Sequence, residues 1–200
     1  MRTGIFGGTF NPPHKGHALS LKAFAESARL DRAIVIPTYL PPHKSMLGKS
    51  VDFDDRLNMC RIAFEDVGCD AIFSDIERSL FFETGEKNYT WRTLERLKES
   101  YPEDTFCLFV GGDMLASFHS WKNPGIILSL AELWVMPRGD GNDGMLEEYR
   151  EELVKSFEGC TVRVIDAVPF KASSTDVRLG NTSLLSRGVL DYILKKGLYK

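Results

Sequence analysis

Cysteine is sparse: four residues, Cys60, Cys69, Cys107 and Cys160, are spread over 200 positions with no close pair among them. That excludes a disulfide-stapled scaffold and a Cys-rich zinc module, and it fits a reduced compartment. No apolar run approaches the roughly 20 residues that cross a bilayer, and no positively charged, then apolar, leader opens the chain. A cytoplasmic protein with no membrane partner is therefore expected. A basic surplus is missing too: the formal charge is -3 with 26% charged residues. Proteins that neutralise many phosphates carry a basic stripe, so nucleic acid is not an expected partner. Internal repeats and low-complexity tracts are absent. So are the three-glycine dinucleotide fingerprint and the phosphate loop that ends in Gly-Lys-Ser/Thr.

What the chain does contain is alternation. Apolar, β-branched runs at residues 3–6, 33–37, 71–74, 105–110, 132–136 and 162–165 are separated by helical patterns. This predicts an α/β protein, a Rossmann-like doubly wound parallel sheet with helices on both faces. Leu21, Phe24, Ala25 and Ala28 share one face of a first helix beginning near Ala18. Leu57, Cys60, Ala63, Phe64 and Val67 share one face of another that opens after Asp52, and a third runs from about Thr90 toward Tyr101 with Leu94 and Leu97 inward. The length suits a single domain over 1–200, with a small C-terminal helical part over about 171–200. Residues 38–50 and 138–144 read as the longest irregular segments. In such a sheet the ligand crevice lies at the carboxyl ends of the strands, where strand order reverses.

The stretch Gly7-Gly8-Thr9-Phe10-Asn11-Pro12-Pro13-His14-Lys15-Gly16-His17 falls at that place, between the first strand and the first helix. Two glycines admit a ligand close to the backbone, and free amides at a helix start favour an anion. Phosphate fits such a corner. His14 and His17, three apart, can share a helix face and add two donors. As zinc ligands they would lack the third and fourth members of a site. Lys44, in Pro41-Pro42-His43-Lys44, sits on a stiffened loop from which an ammonium can meet a phosphate, although exposed lysines are the rule. Tyr89 and Thr90 stand at a helix start, Thr90 as its N-cap, where free amides suit a carboxylate as well as they suit a plain cap. Gly112 and Asp113 follow the 105–110 strand; the carboxylate either accepts from a ribose or caps the next helix. Trp121 offers a flat platform for a cationic ring or simply packs in the core. Ser173, Ser174 and Thr175 put hydroxyls at another helix start, with Arg178 one turn on, a set suited to phosphates.

Taken with their order along the chain, these segments resemble the nucleotidyltransferases that carry an H-x-G-H motif, and within them the bacterial nicotinate mononucleotide adenylyltransferases. The resemblance spans nearly the whole chain. The first stretch resembles GGTFDPxHxGH, with Asn11 in place of aspartate. Tyr89-Thr90-Trp91-Arg92-Thr93-Leu94 is similar to YTxxTL, with Arg92 where aspartate is frequent. Gly111-Gly112-Asp113-Met114-Leu115 is similar to GxDxL, and Ser173 to Arg178 resembles SSTxIR with Val177 for isoleucine and Ala172 before it.

The resemblance implies ATP and nicotinate mononucleotide as partners. Gly7, Gly8, Thr9, Phe10, His14, His17, Gly112, Asp113, Ser173, Ser174, Thr175 and Arg178 would line the ATP site. Arg138 would join them near the adenine, although Gly139 and Asp140 break the family's loop pattern there. Lys44, Tyr89, Thr90 and Trp121 would serve the mononucleotide, with Trp121 stacking on its ring. His14, His17 and Arg178 would be catalytic. Magnesium is expected on the ATP phosphates, with no protein cage for it. A phosphopantetheine adenylyltransferase and a non-catalytic nucleotide sensor are the alternative readings, and a homo-oligomer is left open.

Overall fold

A computed structural model describes residues 1–40, 51–137 and 143–200. Six strands, β1 (Arg2–Gly8), β2 (Arg32–Pro37), β3 (Asp70–Phe73), β4 (Thr105–Gly111), β5 (Ala131–Met136) and β6 (Val162–Val164), form one sheet in the order β3-β2-β1-β4-β5-β6. Every neighbouring pair is parallel. Each of the six expected strands is present. Strand order reverses between β1 and β4, so the ends Gly8 and Gly111 flank the crevice that such a sheet offers.

Period-two side-chain alternation assigns the strand residues to two cores. Phe6, Ala33, Val35, Cys107 and Trp134 face one way, against Leu21, Phe24, Ala25 and Ala28 of α1 (Lys15–Ala28) and Cys60 of α2 (Phe53–Ala63). Ile5, Ile34, Leu108, Leu133 and Val135 face the other. They meet residues of α4 (Thr90–Ser100), α5 (Gly112–Ala116), α6 (Pro124–Leu130) and α7 (Asp143–Ser156). Helix α3 (Ile76–Thr84), not expected from the residue pattern, ends at Gly85 in a left-handed conformation of φ 69° that only glycine adopts freely.

Helix α2 opens where Asp52 caps it, accepting from the Asp54 amide at 2.6 Å. Helix α1, in contrast, starts at Lys15, three residues before the expected Ala18, because the His14 carbonyl already accepts from the His17 and Ala18 amides. Helix α7 begins inside the segment expected to be irregular. A third cluster joins Val51 and Met59 to Val177, Leu185, Val189 and Ile193. It seats α8 (Ser174–Arg178) and α9 (Arg187–Lys196) against α2, with about 1.5–3 kcal/mol from each large apolar side chain buried.

Candidate active site

The corner after β1 is built to leave room. A Cβ on Gly7 would come no nearer, among the described residues, than the Ile36 carbonyl at 4.0 Å, an ordinary contact without a clash. One on Gly8 would strike the Phe10 ring at 2.8 Å. Phe10 itself has φ 48°, a left-handed backbone that costs an L-residue about 1–2 kcal/mol. Its ring is buried and packs on Phe6 and Phe64, with its neighbour His17 edge-on at 5.1 Å.

His14 and His17 stack with ring centroids 3.7 Å apart. The His14 amide donates to His17 Nδ1 at 3.2 Å, so the imidazole proton of His17 sits on Nε2, free to be given to a ligand. Burial pushes the His17 imidazole down to about 3, helped by its neighbour His14, and burial pushes His14 down to about 4 against the pull of Asp176. Both rings are therefore neutral donors at neutral pH. Buried His14 Nδ1 has no hydrogen-bond partner among the described residues. Gly16 is glycine for space: a Cβ there would lie 3.1 Å from the His14 ring and 3.2 Å from Ala172.

The serine-rich segment is stitched onto this loop from more than 160 positions away. Ser174 Oγ donates to the Pro12 carbonyl at 2.8 Å, and Arg178 Nη1 donates to the Asn11 carbonyl at 2.6 Å. The other guanidinium nitrogen reaches Thr175 Oγ1 at 3.0 Å. Ser173 caps α8, accepting from the Asp176 amide and donating to its carboxylate. Ser173 is thus the cap of α8, while Ser174 and Arg178 bind the two motifs together. Asn11 keeps an anchor despite its departure from aspartate: its Oδ1 accepts from the Tyr199 hydroxyl at 2.7 Å.

Of the remaining expected residues, five lie in the described part of the chain. Gly112 and Asp113 open α5 directly after β4, with Asp113 exposed in the first turn. Tyr89 is the N-cap of α4 and 40% exposed; Thr90 is its first helical residue, a correction to the expected cap. The Tyr89 carbonyl accepts from the Arg92 and Thr93 amides. Trp121 is half-buried, one face tilted over the buried Phe118 ring at 4.9 Å. Lys44 and Arg138 lie outside the described residues. Two residues that sequence reasoning missed complete the corner. Arg56 Nη1 donates to the Thr9 carbonyl at 2.7 Å, and Tyr199 closes on Asn11. Arg56 sits among the aspartates of Asp54-Asp55-Arg56, where nothing local distinguishes it from a surface helix residue.

No three His, Cys, Asp or Glu side chains gather around a common point among the described residues. The corner instead offers amides, neutral imidazole N–H, hydroxyl and guanidinium, a donor set complementary to phosphate oxygens. No helix of the described residues is long and apolar enough to cross a membrane.

Known proteins resemble this chain in sequence and in fold. A family model described as cytidylyltransferase-like matches residues 5–179. The probable nicotinate-nucleotide adenylyltransferase of Flavobacterium johnsoniae is 35% identical over 208 residues, covering 100% of both chains. That of Borreliella burgdorferi is 34% identical over 205 residues, covering 100% of this chain and 97% of its own. Among solved structures, the Plasmodium falciparum nicotinic acid mononucleotide adenylyltransferase complexed with NaAD shares the fold. Its TM-score is 0.75 at 20% identity, over 99% of this chain and 97% of that one. With a glycine corner, a stacked histidine pair and a serine-arginine segment laid against them, and relatives matched end to end, this chain belongs to the cytidylyltransferase-like family, among its nicotinate-nucleotide adenylyltransferases.

Proposed function

We propose that the chain transfers the adenylyl group of ATP to nicotinate mononucleotide, giving nicotinate adenine dinucleotide and pyrophosphate for NAD biosynthesis. The observation that carries this reading is the His14–His17 stack, with a neutral Nε2–H at the mouth of α1 beside the Gly7 corner. The acceptor phosphate is largely a dianion at neutral pH, since its second pKa is near 6, and needs no base to become a nucleophile. One of its oxygens attacks the α-phosphorus of ATP, the bond from that phosphorus to the bridging oxygen breaks, and pyrophosphate leaves with the electron pair. No proton moves in that step. The protein's task is to orient two polyanions and spread the charge that builds on the α-phosphate.

In this reading His17 Nε2–H donates to the α-phosphate oxygens, and His14 and the Gly7-Gly8 turn stand beside it. Ser173, Ser174, Thr175 and Arg178 receive the departing pyrophosphate. The donor-rich corner fits a triphosphate that brings its own magnesium, which when bound neutralises part of the phosphate charge. Asp113 serves the ribose, and Arg138 the adenine. Trp121 takes the pyridine ring, while the amides at Tyr89 and Thr90 meet its carboxylate; Lys44 serves the mononucleotide phosphate. Residues 1–200 act as one nucleotidyltransferase unit, whose four unpaired thiols suit a cytoplasmic setting.

The test is an assay of pyrophosphate release from ATP and magnesium with three acceptors: nicotinate mononucleotide, its amide and phosphopantetheine. Release with the acid in clear preference is expected. Release only with phosphopantetheine, or with none of the three, would overturn the reading.

A further inference from the structure

Arg56 is one of the largest side chains sealed in the interior, 1% exposed, yet no carboxylate lies within ion-pair distance of it among the described residues. Burial pulls its pKa down, and the more distant charges of Glu77 and Asp52 offset only part of that cost. A guanidinium stays charged inside a protein, so this one is kept against the cost of desolvation, and a fold tolerates that where the group has a task. Its hydrogen bond among the described residues is the one from Nη1 to the Thr9 carbonyl, while Nε is buried without a partner.

That bond has a directional consequence. In a trans peptide the carbonyl of one residue and the amide of the next point opposite ways. Thr9–Phe10 is trans, since the cis bond of this loop is Asn11–Pro12. With the Thr9 oxygen drawn inward to Arg56, the Phe10 N–H is turned outward, and it meets no acceptor among the described residues. Phe10 also holds the left-handed backbone, and its ring is the edge-on neighbour of His17. An unforced chain leaves such a conformation readily, and a flip of this peptide would put a carbonyl where the donor stood.

We propose that Arg56 is a positioning residue: through the Thr9 carbonyl it holds the Thr9–Phe10 peptide so that the Phe10 N–H faces the crevice as a donor to the α-phosphate oxygens. The proposal rests on the adenylyl-transfer reading for the identity of that phosphate. Its structural half is tested without turnover, so the two can fail separately.

Arg56→Met, Arg56→Gln and Arg56→Lys are compared with the unaltered protein by thermal melting, steady-state kinetics and the amide NMR signal of Phe10 titrated with a non-hydrolysable ATP analogue and magnesium. In the unaltered protein the Phe10 amide should move strongly on nucleotide binding. In Arg56→Met that movement should vanish. Its kcat should fall between tenfold and about 10²-fold, the cost of a small misplacement in an active site, with KM for the mononucleotide changed less than about twofold. Arg56→Lys, whose ammonium keeps a donor close to the lost Nη1, should recover much of both. A Phe10 signal in folded Arg56→Met that responds as in the unaltered protein would overturn the proposal, as would a lower melting temperature with kcat intact. Should Arg56→Met not fold, Arg56→Gln decides. Its amide nitrogen ends short of the Nη1 position, so the Phe10 response should be at least halved, and a full response would refute the role. If the unaltered protein shows the Phe10 shift but releases no pyrophosphate with any acceptor, the functional reading fails while the role of Arg56 at a nucleotide corner stands.

Discussion

The two ends of the sheet are furnished in opposite ways. At the amino ends, charges are met in full. Asp104 accepts from Thr3 Oγ1 at 2.5 Å, pairs with Arg32 and lies 3.5 Å from the N-terminal ammonium. Beside it, Arg2 reaches Glu132 at 2.8 Å, and the same carboxylate accepts from Trp134 Nε1 at 3.1 Å. At the carboxyl ends, polar groups are left wanting: His14 Nδ1 and Arg56 Nε are buried without partners among the described residues, and the imidazole pair is kept neutral by burial. A fold that satisfies polar groups at one end of its strands does not lack the means at the other. The contrast sets the corner after β1 apart as the place where the fold leaves polar groups uncompensated, which is where a functional site is expected.

The strongest way to break this contrast is at His17. Loss of one transition-state donor lowers turnover by about 10²-fold or more, so His17→Ala should lose at least that in kcat with KM for ATP changed far less. Near-normal turnover in the purified variant would remove His17 from the mechanism. At the opposite end, Asp104→Asn should cost about 2 kcal/mol in chemical denaturation, the worth of hydrogen bonds to a charged group. Its kcat should remain within about twofold, and a large fall in activity there would mean that the two ends are not independent. Trp121→Ala should raise KM for nicotinate mononucleotide by about tenfold and leave that for ATP nearly untouched, if the indole faces a cationic ring. Equal effects on both substrates would place the ring elsewhere.

The smallest effect concerns acid. Unfolded imidazoles take up protons below about pH 6.5, whereas the folded pair resists until about 4 for His14 and about 3 for His17. Their contribution to stability is therefore full above pH 6.5 and is lost as pH falls from there toward those folded values. Replacing His17 with asparagine should flatten the decline of melting temperature between about pH 7 and pH 5. Parallel declines would show that the pair is not held neutral.

The strands were legible because each is a short β-branched run bounded by turn formers, a signal carried by adjacent residues. The glycine corner and the Ser173–Arg178 segment were legible as separate motifs of suggestive chemistry. What the sequence concealed is what joins them. The hydrogen bond of Ser174 to Pro12, that of Arg178 to Asn11 and that of Arg56 to Thr9 are products of tertiary packing, and no local pattern announces them. Helix α3 escaped notice because its run Leu80-Phe81-Phe82 reads as easily as a strand. The cap of α4 was misplaced by one residue because threonine is the better capping side chain, yet Tyr89 holds the extended backbone that precedes the first turn.

The hydrogen bond from Tyr199 to Asn11 bridges 188 positions. Closing so wide a loop costs conformational entropy, which the packing between its two ends must already have offset before the clasp can form. The fastening of the glycine corner is therefore a late consequence of the whole fold, and loosening the segment around Tyr199 should disturb the corner before it disturbs the sheet.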